Sequence, residues 1–151
     1  MKQPSAATIE ITVQIANEQS HLPVDRRLVR RAVRRVLRDA GLRKARISVA
    51  VVDDETIARL NWQYLRHRGP ADVLSFLLEQ DDGLEGEVIV GAEAALRTAP
   101  HYGWPPHDEL LLYVIHGMLH LVGHDDGRPA LRAKMQERET EVLEKLGIMR
   151  K

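Results

Sequence analysis

The sequence predicts a single α+β domain built on a four-stranded mixed sheet with about five helices. Three observations carry that expectation. The chain has 151 residues, enough for one core and not for two. Segments that read as strands lie in the first ninety residues, while helical periodicity dominates afterwards. A helix follows each of the first two strands, as a crossover connection requires.

Residues 1–7 read as a flexible N-terminal tail, and 8–151 as the domain. From Thr8 to Ala16, the apolar Ile9, Ile11, Val13 and Ile15 alternate with polar partners, so this is a strand. Pro23 opens a helix over 24–39, which Gly41 stops. Arg46–Asp53 is a second strand. Asp54 is expected to cap a helix reaching His67, because Ile57, Leu60, Tyr64 and Leu65 recur at helical spacing. Gly69-Pro70 breaks it. Asp72–Leu78 reads as a buried strand, with Val73 and Ser75 on one face and Leu74 and Phe76 on the other. Glu87–Val90 is the fourth strand, beyond the acidic turn at Asp81-Asp82-Gly83. Short helix 92–99 ends at a loop containing Pro100 and Gly103-Trp104-Pro105-Pro106. An apolar helix over 108–122 stops at Gly123, and a last helix covers 129–146.

Composition narrows the chemistry. There is no Cys, which excludes disulfides, thiolate metal sites and a Cys nucleophile. A metal would need some of the seven His together with carboxylates. No apolar run approaches a membrane span, and MKQPSAATIE has no apolar signal core, so the expected location is cytoplasmic, with no membrane partner. Twenty-two Lys and Arg balance 22 Asp and Glu, but not evenly along the chain. Residues 26–46 hold ten bases and one acid, Asp39. On a helical wheel the Arg residues of 26–38 fill one half and Leu28, Val29, Ala32, Val33, Val36 and Leu37 the other. Such a row serves either as a solvated face or as a surface that tracks phosphates. Arg27, Arg30, Arg31, Arg34 and Arg38 are the candidates for RNA binding.

The most informative segment is His116-Gly117-Met118-Leu119-His120-Leu121-Val122-Gly123-His124-Asp125-Asp126. His116 and His120, four apart on a helix, place two imidazoles on one face. Gly123 allows a sharp turn, after which a third ligand can fold back. The spacing resembles the zincin-like metal helix of metzincin proteases, H-E-x-x-H-x-x-G-x-x-H. Asp126 occupies the third-ligand position. Imidazole with carboxylate suits zinc, one ion per chain, and three protein ligands leave a fourth position open. The proteases' general-base Glu is replaced by Gly117. Glu109 falls on the same helix face as His116, two turns earlier, and reads as an acid favoured by the helix N-terminus.

The same residues, H-G-x-L-H-L-x-G-x-D, resemble the hallmark of the YbeY-type endoribonucleases. Leu60-Asn61, Tyr64 and Asp72-Val73-Leu74-Ser75-Phe76 are similar to that family's L-N-x-x-Y and T-D-V-L-S-F segments. Gly86–Val90 resembles its G-D-I-x-I strand, and Met135 and Glu139 its closing pattern. The resemblance spans residues 8–146. It implies a metal-dependent endoribonuclease acting on single-stranded RNA in ribosomal RNA maturation, with ribosomal proteins as further partners. It also implies a zinc held by three His.

This chain departs from that pattern in three places. The family's third His falls at Asp126, and its preceding aromatic at His124. Spacing makes Asp126 the third ligand; residue type makes it His124. Spacing fixes reach and favours Asp126, whose charge would weaken acidification of a bound water. Ala71 replaces a Thr. The family's Arg after Tyr64 aligns with Leu65, leaving Arg66 and Arg68 beside it as the catalytic candidates. Trp62, Tyr64 and Trp104 are candidates to stack on bases. Trp62 and Tyr64 cannot share a helix face, so at least one is expected to pack between helix and sheet. The nucleophile is either RNA's own 2′-hydroxyl or a metal-bound water. Two other functions compete: a metzincin-like peptidase, which Gly117 disfavours, and a non-catalytic ribosome-associated module with a structural zinc.

Overall fold

The computed structural model describes residues 8–149, so the expected N-terminal tail and the last two residues lie outside the described residues. Its elements run β1 (Glu10–Glu18), α1 (Arg26–Asp39), β2 (Lys44–Val52), α2 (Asp54–Leu65), β3 (Val73–Glu79), β4 (Leu84–Gly91), α3 (Ala92–Tyr102), α4 (Pro106–Leu121) and α5 (Pro129–Lys145). The expected four strands and five helices are present. The sheet order is β1-β2-β4-β3. β1 and β2 pair in parallel with Val13 opposite Ile47, and β2 and β4 with Val49 opposite Val88. β3 returns antiparallel along β4, Leu74 opposite Ile89, and forms an outer edge of the sheet.

Several expected boundaries shift for local reasons. α1 begins after Asp25, whose side chain accepts the Leu28 N–H, rather than directly after Pro23. At α2 the cap is Asp53, which accepts from Thr56 N–H at 2.8 Å; Asp54 is already helical. α3 runs through Pro100 to Tyr102, so the proline lies inside the helix and does not end it. β4 starts at Leu84, earlier than expected, because Leu84 and Gly86 face the core.

The alternation along β2 shows where the core sits. Ala45, Ile47, Val49 and Val51 face the main cluster with α1, α3, α4 and α5. Val52, with Leu74 and Ile89, meets Ile57 of α2 on the other face. α4 is central, burying Leu110, Leu111, Val114, Ile115, Met118 and Leu119. Each such side chain contributes roughly 1.5–3 kcal/mol of transfer free energy. A helix apolar nearly all round must be covered on most sides, and α4 leaves His116 and His120 on its one partly open stripe.

Two glycines set how close α4 lies to the sheet. A Cβ at Gly117 would stand 2.7 Å from a Val88 methyl and 3.0 Å from a Val73 methyl. One at Gly86 would stand 2.7 Å from a Leu121 methyl. Position 117, where the proteases carry their glutamate, therefore points into the β3–β4 surface.

Candidate metal centre

Three donor atoms converge where α4 ends. His116 Nε2 and His120 Nε2 are 3.2 Å apart, and Asp126 Oδ2 lies 3.5 Å from the first and 3.6 Å from the second. Ligand bonds of about 2.0–2.1 Å spread at the tetrahedral angle put donors about 3.4 Å apart. The triangle therefore fits one small cation of zinc's preferred geometry, and its donors are the kinds zinc accepts.

Local sequence builds this arrangement. Gly123, at φ +105°, follows the helix end. Its N–H donates to His120 C=O, and the His124 N–H donates to Leu119 C=O at 2.9 Å. These are the two bonds of a Schellman cap, which turns the chain back across the last turn. Asp125 then accepts the Gly127 N–H at 3.0 Å, closing a tight turn that aims the next side chain, Asp126, at the histidines. His124 does not join them. Burial and the charges of Arg138 and Lys134 push its imidazole below the ordinary range.

Behind the triangle stands Glu139 of α5, 8% exposed, with Oε2 3.1 Å from His116 Nδ1. A proton on Nδ1 donated to this carboxylate leaves the Nε2 lone pair facing the triangle. The same hydrogen bond raises the His116 pKa, against the opposing effect of burial. Sequence reasoning placed Glu139 only as part of a family pattern. The signal for its role is an acid on the buried stripe of α5, with Met135, Val142 and Leu143.

His116 and Asp126 line a cleft of about 290 Å3 together with Asp72, Tyr113, Arg132 and Glu139. Glu109 also lines it, at 2% exposure, and accepts the Trp104 indole N–H at 2.9 Å. It stands in the first turn of α4, as expected of an acid favoured by a helix N-terminus, and the indole gives it a buried partner besides. Burial pushes the Tyr113 hydroxyl pKa well up, so it stays protonated. Arg132 makes no side-chain ion pair among the described residues and was not singled out by the sequence.

The other expected site residues lie elsewhere. Arg66 and Arg68 are not in the cleft lining; their guanidiniums lie 5.6 and 5.4 Å from the centroid of Trp62. Trp62 and Tyr64 are both largely exposed, although Tyr64 rests against Phe76 with ring centroids 5.4 Å apart. Trp104 is buried, which excludes it from stacking on a substrate base. Arg27, Arg30, Arg31, Arg34 and Arg38 are all exposed on α1. Arg34 and Arg26 donate to the Ile11 and Ile15 carbonyls of β1, covering that edge with charge. Asp39 is engaged by Arg35, Arg138 and Lys145, and so does not neutralise the exposed row.

Known proteins agree with this architecture. The sequence model described as endoribonuclease YbeY matches residues 14–147. A protein named endoribonuclease YbeY from Syntrophus aciditrophicus is 33% identical over 89% of this chain and 89% of its own. One from Carboxydothermus hydrogenoformans is 36% identical over 91% of this chain and 99% of its own. One from Rhodopirellula baltica is 40% identical over 72% of this chain, a match that spans 57% of that longer protein. A solution structure of a protein from Thermotoga maritima shares the fold, with a TM-score of 0.61 at 24% identity over 89% of this chain and 91% of that one. A family match over residues 14–147, with relatives a third identical along nearly their whole length, leaves one assignment: the chain belongs to the endoribonuclease YbeY family.

Proposed function

We propose that this chain is a metal-dependent endoribonuclease that cuts single-stranded RNA, and that it acts in the cytoplasm on ribosomal RNA. Its role there is maturation of the small-subunit RNA 3′ end and ribosome quality control, with ribosomal proteins as partners. The observation that carries this reading is the triangle of His116, His120 and Asp126 donors, 3.2–3.6 Å apart, two of them lining a cleft, in a member of this family. Among the described residues, no helix is long and apolar enough to cross a membrane.

His116 and His120, through Nε2, and Asp126, through a carboxylate oxygen, hold one Zn2+. When bound, that ion supplies Lewis-acid stabilisation of the charge that develops on the phosphoryl oxygens. Glu139 keeps the His116 proton on Nδ1 and fixes the ring's orientation. Arg132, in the cleft wall and without an ion-pair partner among the described residues, meets a substrate phosphate. RNA brings a nucleophile of its own, the 2′-hydroxyl, so the reaction does not need a glutamate at position 117. The exposed arginines of α1 hold the strand at a distance from the chemistry.

Two features weigh against the other readings. A peptidase of the metzincin kind needs a carboxylate where Gly117 packs against Val88 and Val73. A structural zinc is closed by four protein donors, whereas three converge here among the described residues. The test is to incubate zinc-loaded protein with single-stranded RNA, duplex RNA and a peptide library. Cleavage of single-stranded RNA alone is expected, lost on chelation and restored by Zn2+. Peptide cleavage, or RNA binding without cleavage, would replace the reading.

A further inference from the structure

A second feature lies on the opposite face of the sheet from α4. α2 packs there through Ile57 and Leu60, and its C-terminal end exposes Trp62, Tyr64 and Leu65. Trp62 is 45% exposed, large for an indole with no structural need to meet water. Two guanidiniums, from Arg66 and Arg68, lie over its ring. Arg59, Arg66, His67 and Arg68 are all exposed, and no acid occurs between Glu55 and Asp72. An exposed aromatic ring beside Arg66, His67 and Arg68, which make no ion pair among the described residues, is complementary to a flexible polyanion that carries flat bases.

The arrangement is built, not incidental. Asn61, buried on α2, donates its side-chain N–H to Gly69 C=O at 3.0 Å, and so folds the loop carrying Arg68 back along the helix. Arg66 ends α2 with φ +57°, the one non-glycine residue with positive φ among the described residues. A glycine would take that conformation more easily, yet an arginine stands there and reaches the ring one helical turn earlier. The loop then enters β3 at Asp72–Val73. Asp72 lines the metal cleft, and the Gly117 backbone packs beside Val73. β3 is an outer strand, so this patch and the cleft flank the same sheet edge from opposite faces.

We propose that Trp62, with Arg66 and Arg68, is a base-stacking subsite for single-stranded RNA, which holds one nucleotide while the strand passes over the β3 edge into the metal cleft. This rests on the endoribonuclease reading above. It assigns Trp62 to the base, Arg66 and Arg68 to the flanking phosphates, and Asn61 to positioning. It also gives a physical reason for single-strand preference: a base paired in a duplex does not present its face to an indole.

The test is a two-by-two comparison on the zinc-loaded protein. Wild type and Trp62→Ala are each titrated with a 2′-O-methyl oligouridylate and with an abasic oligomer of equal length, by fluorescence anisotropy. In wild type, removing the bases should weaken binding at least tenfold, and the oligouridylate should quench Trp62 emission; Trp104 is only 7% exposed and contributes little to that change. Trp62→Ala should bind the oligouridylate about 5- to 150-fold more weakly, and the abasic oligomer as wild type does. Trp62→Phe should recover most of the loss. An unchanged affinity in Trp62→Ala, or an equal penalty for base removal in both proteins, would overturn the subsite and leave the patch to a protein partner. A wild type that neither binds nor cuts RNA would instead defeat the endoribonuclease reading itself.

Discussion

The arginine row of α1 and the cleft at the end of α4 are both charged, but the charges are organised in opposite ways. In the cleft they converge: three donors within 3.6 Å of one another, backed by a buried glutamate. On α1 they diverge: Arg27, Arg30, Arg31 and Arg38 point to solvent and make no side-chain ion pair among the described residues. α1 covers the β1 edge and α4 lies over β3 and β4, so the two regions sit towards opposite edges of the sheet. Three strand spacings, about 14 Å, separate those edges. Converging donors suit one small ion at short range. A diverging row suits a long polyanion, and salt weakens it by screening and by reducing counterion release. The expectation is that the cleft decides whether RNA is cut and the helix decides how tightly it is held.

The largest effect should come from the third donor. Asp126→Ala should lower zinc affinity by several orders of magnitude in a competition titration, while His124→Ala changes it little. Asp126→His should bind at least as well as wild type. A reversed ranking would move the ligand to His124 and break the geometric account of the cleft.

Next comes the support of that donor set. Glu139→Gln keeps the size of the side chain but removes its charge, and should weaken zinc binding about 10- to 100-fold. RNA affinity at fixed salt should change far less, because Glu139 is 8% exposed and bonded to His116, while the arginines assigned to hold the strand stand on α1.

The helix should respond in the complementary way. Replacing Arg27, Arg30 and Arg31 by Gln should weaken RNA binding at low salt. The log–log salt slope should become shallower by about 0.7 for each phosphate the helix no longer neutralises. Cleavage of bound RNA should change less than binding. Unaltered slope and affinity would reduce the row to a solvated surface and erase the contrast.

The smallest effect concerns the joint between the two helices. His107, at the start of α4, accepts the Asp25 backbone N–H at the start of α1, at 2.9 Å. Burial lowers its pKa below 6.5. The unfolded chain therefore takes up the proton first as pH falls. Stability from this contact is whole above about pH 6.5 and declines below it. Chemical denaturation of wild type and His107→Gln between pH 7.5 and 5 should show wild type losing more stability on acidification, by a small margin.

Much of the cleft was legible because its chemistry is local. His116, His120, Gly123 and Asp126 span eleven residues, and a helix period plus one glycine turn brings them together. Glu139 lies 23 residues beyond His116 on another helix, and no local period links them. Glu109 was legible as a first-turn acid of α4, but not as the buried acceptor of the Trp104 indole five residues earlier, because the loop before the helix has no period that fixes where its side chains point. Gly117 was legible as a missing glutamate, but not as a packing requirement, since Val88 and Val73 reach it only across the helix–sheet interface. In the fold, element types followed from periodicity. The order β1-β2-β4-β3 did not, because the pairing of β2 with β4 skips a strand.

The central claim is that His116, His120 and Asp126 form one zinc site on which cleavage depends. The most direct measurement is metal content per chain, by elemental analysis after equilibration with Zn2+, in wild type and in His116→Ala/His120→Ala, with circular dichroism to establish that both are folded. The account predicts one zinc per chain in wild type and none in the double variant, with single-stranded RNA cleavage lost in parallel. One zinc per chain retained by the folded double variant would place the metal elsewhere and contradict the account.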